Sequence, residues 1–257
     1  MSDEGKTNGQ YRQFSFVHRA GSAQRSFIKG FKQAPGTFPY NAQFRQYFRE
    51  RTARTTADKA MELYFTHHPR LSFLKMLPLG ARVADVGAGD GSLALLKDRH
   101  EPVRTDIRMH ACSLEPGMHF GVYASSEIGD WNAQRPAFDG LRFDGIVCAH
   151  FIEHIDEPES LLAWARDKLA PGGRAYVEWP SARSMQLPSV AELRTHGLDL
   201  MISNFHDDCT HAVLPDRTRF CEAAAAHGMA VEAQGEILMP WLAEELMAQY
   251  RDAKDRF

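Results

Sequence analysis

His150, Glu153 and His154 stand in the stretch HFIEH, which places two imidazoles and a carboxylate at i, i+3 and i+4. On a helix those spacings put the side chains on one face. Such a trio can do two kinds of chemistry. A neutral imidazole can take a proton from an attacking hydroxyl or amine near neutral pH. Two imidazoles and a carboxylate can also ligate a divalent ion of the Zn²⁺, Mn²⁺ or Fe²⁺ kind. The order H-x-x-E-H matches one zinc-protease motif, but that motif lies within a helix. Here His150 directly follows the strand-like run GIVCA, which argues against a protease. A second polar cluster, NFHDDCTH, holds His206, Asp207, Asp208, Thr210 and His211. It reads either as reactive groups or as a solvated loop with a helix cap.

A third stretch, VADVGAGDGSLALL, sets Gly87, Gly89 and Gly91 between an apolar run and a helical pattern. Glycine permits tight curvature and close approach of backbone to a ligand. In open α/β sheets, ligands bind outside the carboxyl ends of strands. The helix that follows also offers a positive dipole end. The spacing G-x-G-x-G departs from the dinucleotide fingerprint G-x-G-x-x-G, and no Lys-Ser/Thr follows as in a phosphate loop. Asp85, two positions before the first glycine, would repel a diphosphate and suits a ligand carrying an ammonium group.

These groups need a scaffold, and the surrounding pattern supplies one. ARVADVG, HACSLEP, FDGIVCAH, RAYVEWP and MAVEAQGEI read as strands. SLALLKDR, PESLLAWARDKLA and DRTRFCEAAAAHG read as helices, with PGG as a turn. Strands alternating with helices predict a parallel α/β sheet covered on both faces. Residues 41–67 carry apolar positions at helical spacing. Residues 1–40 form an N-terminal extension or lid that mixes aromatics with bases, its first ten residues expected to be disordered. Phe14, Phe16, Phe27 and Phe31 are its packing residues.

Composition bounds the function. The chain has 257 residues, 44% apolar and 25% charged, which suits a globular protein with a sizeable core. A net charge of −3 gives no general pull toward nucleic acid or anionic membrane. The four cysteines, Cys112, Cys148, Cys209 and Cys221, form no CxxC pair, so neither a zinc knuckle nor a disulfide framework is indicated. No signal peptide and no apolar run near 18 residues stands out, and a cytoplasmic protein is expected.

The glycine stretch resembles motif I of the class I S-adenosylmethionine-dependent methyltransferases, of the type 11 or type 23 kind. FDGIVCAHFIEHIDEPESLLAWARDKLAPGGRAYVEWP resembles the fourth strand, following helix and fifth strand of the same family. The likeness is good over residues 80–180 and looser to about 238. It implies a Rossmann-like, seven-stranded, mostly parallel sheet with helices on both faces, plus an N-terminal helical extension. Residues 41–257 would form the methyltransferase domain, with 181–215 inserted as a lid over the substrate. Met185, Leu187, Leu200, Met201 and Phe205 of that lid mix with polar neighbours and suggest a small or medium organic acceptor.

By the same resemblance, Asp85 and the backbone of Gly87, Ala88 and Gly89 would hold the cofactor's methionine portion. An acid after the second strand would take the ribose hydroxyls; Glu115 is favoured, with Asp106 as the alternative. Asp130 and Trp131 would meet the adenine, Trp131 serving otherwise as core. His150 would shape the cofactor pocket, and His154, joined by His211 or His206, would serve the acceptor as base. Arg51 and Arg54 could reach the cofactor carboxylate. A metal at Glu153, His154 and a downstream histidine, found in some related quinone and RNA-end enzymes, is the less favoured variant. No (N/D)PPY follows the fourth strand, so O-methylation of a small-molecule or sugar-containing acceptor is expected. An RNA- or protein-modifying enzyme, a dehydrogenase and a non-catalytic cofactor-binding module are the rivals.

Overall fold

The computed structural model describes residues 11–13, 68–98, 102–195, 197 and 203–237. The expected helix over 41–67, Arg51, Arg54, the aromatics of the extension, Leu200 and Met201 lie outside the described residues.

Five strands form one parallel sheet: β2 (Arg82–Val86), β3 (Arg108–Ser113), β4 (Ser125–Ile128), β5 (Phe143–Ala149) and β6 (Leu169–Glu178), in the order β4-β3-β2-β5-β6. Alternation along the strands sorts side chains to opposite faces. Val83, Met109 and Val147 join one core with Leu93 and Ala94 of helix α2 (Ser92–Leu96) and Leu71, Phe73 and Leu74 of helix α1 (Pro69–Met76). Ala84, Val86, Cys112, Ile146 and Cys148 join the other. There they meet Leu161, Leu162 and Trp164 of α3 (Ser160–Lys168) and Phe220 and Ala224 of α5 (Arg217–Ala226). A short α4 (Val190–Thr195) lies between β6 and α5 in sequence. Helices therefore cover both faces, as the alternation predicts.

Among the described residues the main sheet has five strands, against the expectation of seven. Of MAVEAQGEI, only Met229–Val231 is extended, as β7, and it pairs with an N-terminal strand β1 (Tyr11–Gln13) in a separate parallel pair. The charged and polar residues Glu232, Gln234 and Glu236 follow, and the chain leaves the ladder there. The PGG turn is a bulge within β6: Phe143 pairs with Leu169 and Gly145 with Arg174, so the intervening residues loop out. At α1, Pro69 begins the helix instead of breaking it, because the first helical positions lack intrahelical N–H partners.

The candidate donor cleft and its histidine cluster

β2 has β3 on one side and β5 on the other, so the chain crosses to opposite sides of its carboxyl end and leaves a crevice there. A cleft of about 770 Å³ occupies this place. Gly87, Gly89, Ser113, Glu127, Asp130, Trp131, His150 and His154 line it.

The glycine turn is built by close approach. Gly87 has φ +73°, and a Cβ there would meet Phe151 at 2.6 Å. Gly117 sits so close that an added Cβ would lie 2.4 Å from the Gly89 carbonyl oxygen. The amides of Gly87 and Ala88 both donate to the Cys112 carbonyl at 3.0 Å, fastening the turn to β3. Those two amides are thus engaged within the fold. Gly89, with no atom within 4 Å of a built Cβ, leaves open space on the cleft wall. That space is what a ligand lying against backbone requires.

Asp85 is 4% exposed and accepts a hydrogen bond from the Tyr123 hydroxyl at 2.6 Å. Burial pushes its pKa up to about 6, against the opposing effects of Tyr123 and the Arg70 charge. Tyr123 is a partner that spacing alone does not reveal, since it lies 38 residues away.

Glu115 is exposed beyond the end of β3, and at this point the cleft wall is made by Ser113 and Leu114. Asp106 precedes β3, at the edge opposite the cleft. It accepts from the Arg104 guanidinium and the Gly80 amide. Glu127, not singled out by the sequence, also lines the cleft, and its carboxylate accepts from the amides of Ala137 and Phe138. Asp130 is exposed in the wall. Trp131 is packed into the core, edge-on to Phe151 and Trp164, with its indole N–H on Ser160 at 3.1 Å. It nevertheless contributes to the cleft lining.

HFIEH does not make an α-helical face. His150 has φ +52°, and only Ile152–His154 form a single 3₁₀ turn. His150 still comes to Glu153, with Nδ1 3.3 Å from Oε1, while its Nε2 lies 3.3 Å from Glu178 Oε1. Burial opposes protonation of this ring, but the two carboxylates outweigh it and raise its pKa to about 9. Glu178 also receives Arg70 and the Tyr176 hydroxyl. Burial disfavours its charge, yet His150 and Arg70 hold it well below the ordinary carboxylate range. His150, expected to shape the pocket, thus lies between two carboxylates.

His154 and His211 do come together, with ring centroids 4.8 Å apart. Glu153, fully buried, completes a group whose potential ligand atoms all lie within 4.8 Å of one another. His206 is exposed, its backbone amide donates to the side chain of the N-cap Asn204, and Asp207 closes the same capping box, as a loop with a helix cap would.

A second cavity, of about 610 Å³, meets the cleft at His150. His68, Arg70, Glu178, Trp179, Leu214 and Phe220 are among its walls. His68 is held neutral, its pKa lowered to about 4 chiefly by burial.

A family model for a methyltransferase domain matches residues 58–234. The chain therefore belongs to that methyltransferase-domain family. Among curated relatives, the ubiquinone biosynthesis O-methyltransferase of Xylella fastidiosa strain 9a5c is 35% identical over 120 residues, 42% of this chain and 46% of that protein. The enzyme of the same name from Pasteurella multocida is 28% identical over 107 residues, 37% of this chain and 44% of that protein. The chain spans about half the length of the curated relatives it matches. A solved structure described as a SAM dependent methyltransferase from Archaeoglobus fulgidus superposes over 82% of this chain and 91% of that one, at 14% identity and a TM-score of 0.44.

Proposed function

We propose that this enzyme transfers the methyl group to a hydroxyl of a small organic acceptor, a sugar-containing one included, by in-line displacement at the sulfonium. One observation carries the reading: His154, an imidazole base, lines the same cleft as Gly87 and Gly89. Asp85 and the turn from Gly87 to Gly89 hold the donor, and Asp130, Trp131 and Glu115 are assigned to its nucleoside end. His154, assisted by His211, removes the acceptor proton. The second cavity, which meets the cleft at His150, receives the acceptor between Trp179, Phe220 and the Arg70–Glu178 pair. Residues 181–215 close over it. The donor is already activated, so alignment and exclusion of water dominate; holding reactants in line supplies on the order of 7–11 kcal/mol. A base adds roughly 10²–10⁴-fold for a hydroxyl acceptor. The relatives' shared name, an O-methyltransferase of ubiquinone biosynthesis, supports oxygen as the target atom. The test is calorimetry with S-adenosylhomocysteine and NAD, followed by labelled methyl donor against catechols, monosaccharides and amines. Binding of NAD alone overturns the cofactor site, and label found only on amines overturns the O-transfer.

A second reading adds a divalent ion at Glu153, His154 and His211. Glu153 Oε2 is buried with no hydrogen-bond partner among the described residues, as a missing cation would leave it. Two imidazoles and one carboxylate suit Zn²⁺, Mn²⁺ or Fe²⁺. A bound ion there would polarise the acceptor oxygen. Mn²⁺ titration of the full chain should give a binding isotherm that Glu153→Gln removes. Full turnover after chelation sets this reading aside.

A further inference from the structure

The histidine cluster carries more hydrogen-bond information than its role as a base requires. Thr210 Oγ1 lies 2.9 Å from His154 Nδ1 and 2.5 Å from Asp208 Oδ1. A threonine hydroxyl has one hydrogen to give. An ionised carboxylate only accepts, so that hydrogen goes to Asp208. The oxygen can then only accept from the ring, which places a hydrogen on Nδ1 of His154. With the ring neutral, the lone pair is on Nε2.

We propose that Asp208 and Thr210 form a relay that locks His154 in its Nδ1–H tautomer and thereby presents Nε2 as the basic atom of the donor cleft. Both are positioning residues; His154 is the group they act through. The assignment rests on the reading of His154 as the acceptor's base, and supplies the specific atom for it.

The surrounding geometry fixes the relay in register. Thr210 N–H also donates to Asp208 Oδ1, at 2.9 Å, so the turn itself sets the distance between carboxylate and hydroxyl. Two further amides of the loop, Ala212 and Val213, donate to the Glu153 carbonyl at 2.7 and 3.2 Å. That carbonyl immediately precedes His154, so the loop is tied to the backbone beside the ring it serves. The other side of the ring meets His211, which stacks on Phe205 at 4.4 Å and 30°. His211 Nδ1 lies 2.6 Å from the Phe205 carbonyl, an acceptor only, so this second ring is also fixed by its own Nδ1 hydrogen. The pattern in DDCTH thus has a separate use for each of Asp208, Thr210 and His211.

An unconstrained neutral histidine side chain prefers the Nε2–H form, so the relay makes an unusual tautomer the dominant one. Nitrogen-15 spectra of the ring-labelled full chain at about pH 9, where an ordinary imidazole is neutral, read this directly. His154→Gln identifies the resonances. The native chain and Thr210→Ser should show the coupling pattern of Nδ1–H. Thr210→Val should lose it in favour of Nε2–H. Asp208→Ala, which frees the hydroxyl to donate to the ring, should do the same and serves if the valine variant does not fold. Nε2–H in the native chain, or Nδ1–H retained in both loss variants, overturns the relay. A chain that shows the relay but fails to bind S-adenosylhomocysteine leaves the tautomer assignment standing and strikes the donor-site reading instead.

Discussion

Asp85 sits where burial works against its charge, and its raised pKa of about 6 has a measurable consequence. The carboxyl is ionised above that value and protonated below it. If it meets the cofactor's ammonium as a carboxylate, S-adenosylhomocysteine affinity falls as pH drops through 6. Asp85→Asn should weaken binding at pH 7 and flatten this dependence; one pKa unit corresponds to about 1.4 kcal/mol between protonation states. Unchanged calorimetric affinity in Asp85→Asn would refute the donor site. The folding term has its own sign. A carboxyl with a raised folded pKa disfavours the fold once ionised, so Asp85 costs stability increasingly from pH 4 to 6 and fully above. The position of Asp85 was legible from an acid before glycines at a strand end. Its hydrogen bond from Tyr123 was not, because a tertiary contact across 38 residues leaves no local period. The same holds for Arg70 and Glu178, 108 residues apart.

At the level of elements, the connection from β5 to α3 brings the His150 ring to two carboxylates. His150 takes a left-handed backbone conformation that non-glycine residues adopt at a cost. Its amide donates to the Glu178 carbonyl at 2.9 Å and its ring to two carboxylates, which hold it in place. The folded pKa near 9 lies above the ordinary value of about 6.5. The resulting stabilisation is complete below pH 6.5 and is lost as pH rises through 9. Thermal melts should therefore show a fall in midpoint between pH 7 and 9 that His150→Gln reduces. Equal slopes in both proteins would contradict the pairing. Sequence alternation revealed β2, β3, β5 and β6, whose apolar runs are continuous because helices cover both faces. It did not reveal β4, since Ser125–Ile128 is polar and largely exposed at the edge of the sheet. Nor did it foresee that HFIEH turns once instead of forming a helix: the motif's spacing fits both, and the positive φ at His150 is set by its tertiary partners.

Across the molecule, the sheet separates support from chemistry. Phe143 is fully buried near the amino end of β5, against His110 and Phe138, while the cleft opens at the carboxyl ends. Phe143→Ala should cost about 3–5 kcal/mol of stability, read by denaturant unfolding. S-adenosylhomocysteine affinity of the folded fraction should stay unchanged; a comparable loss in affinity would show that core and cleft are coupled. At this scale the α/β architecture was legible and the strand count was not. The polar residues after Val231 end β7 early, and its partner strand comes from Tyr11–Gln13, whose sequence carries no apolar alternation to announce it.

His150 borders both the cleft and the second cavity. On the proposed reading, one imidazole is a party wall between two tenants. A substitution there is felt by donor and acceptor together, so neither affinity can be tuned through it alone. Divergence toward new acceptors should therefore proceed through walls that the second chamber does not share with the cleft, such as Leu214, Phe220 and Ala233.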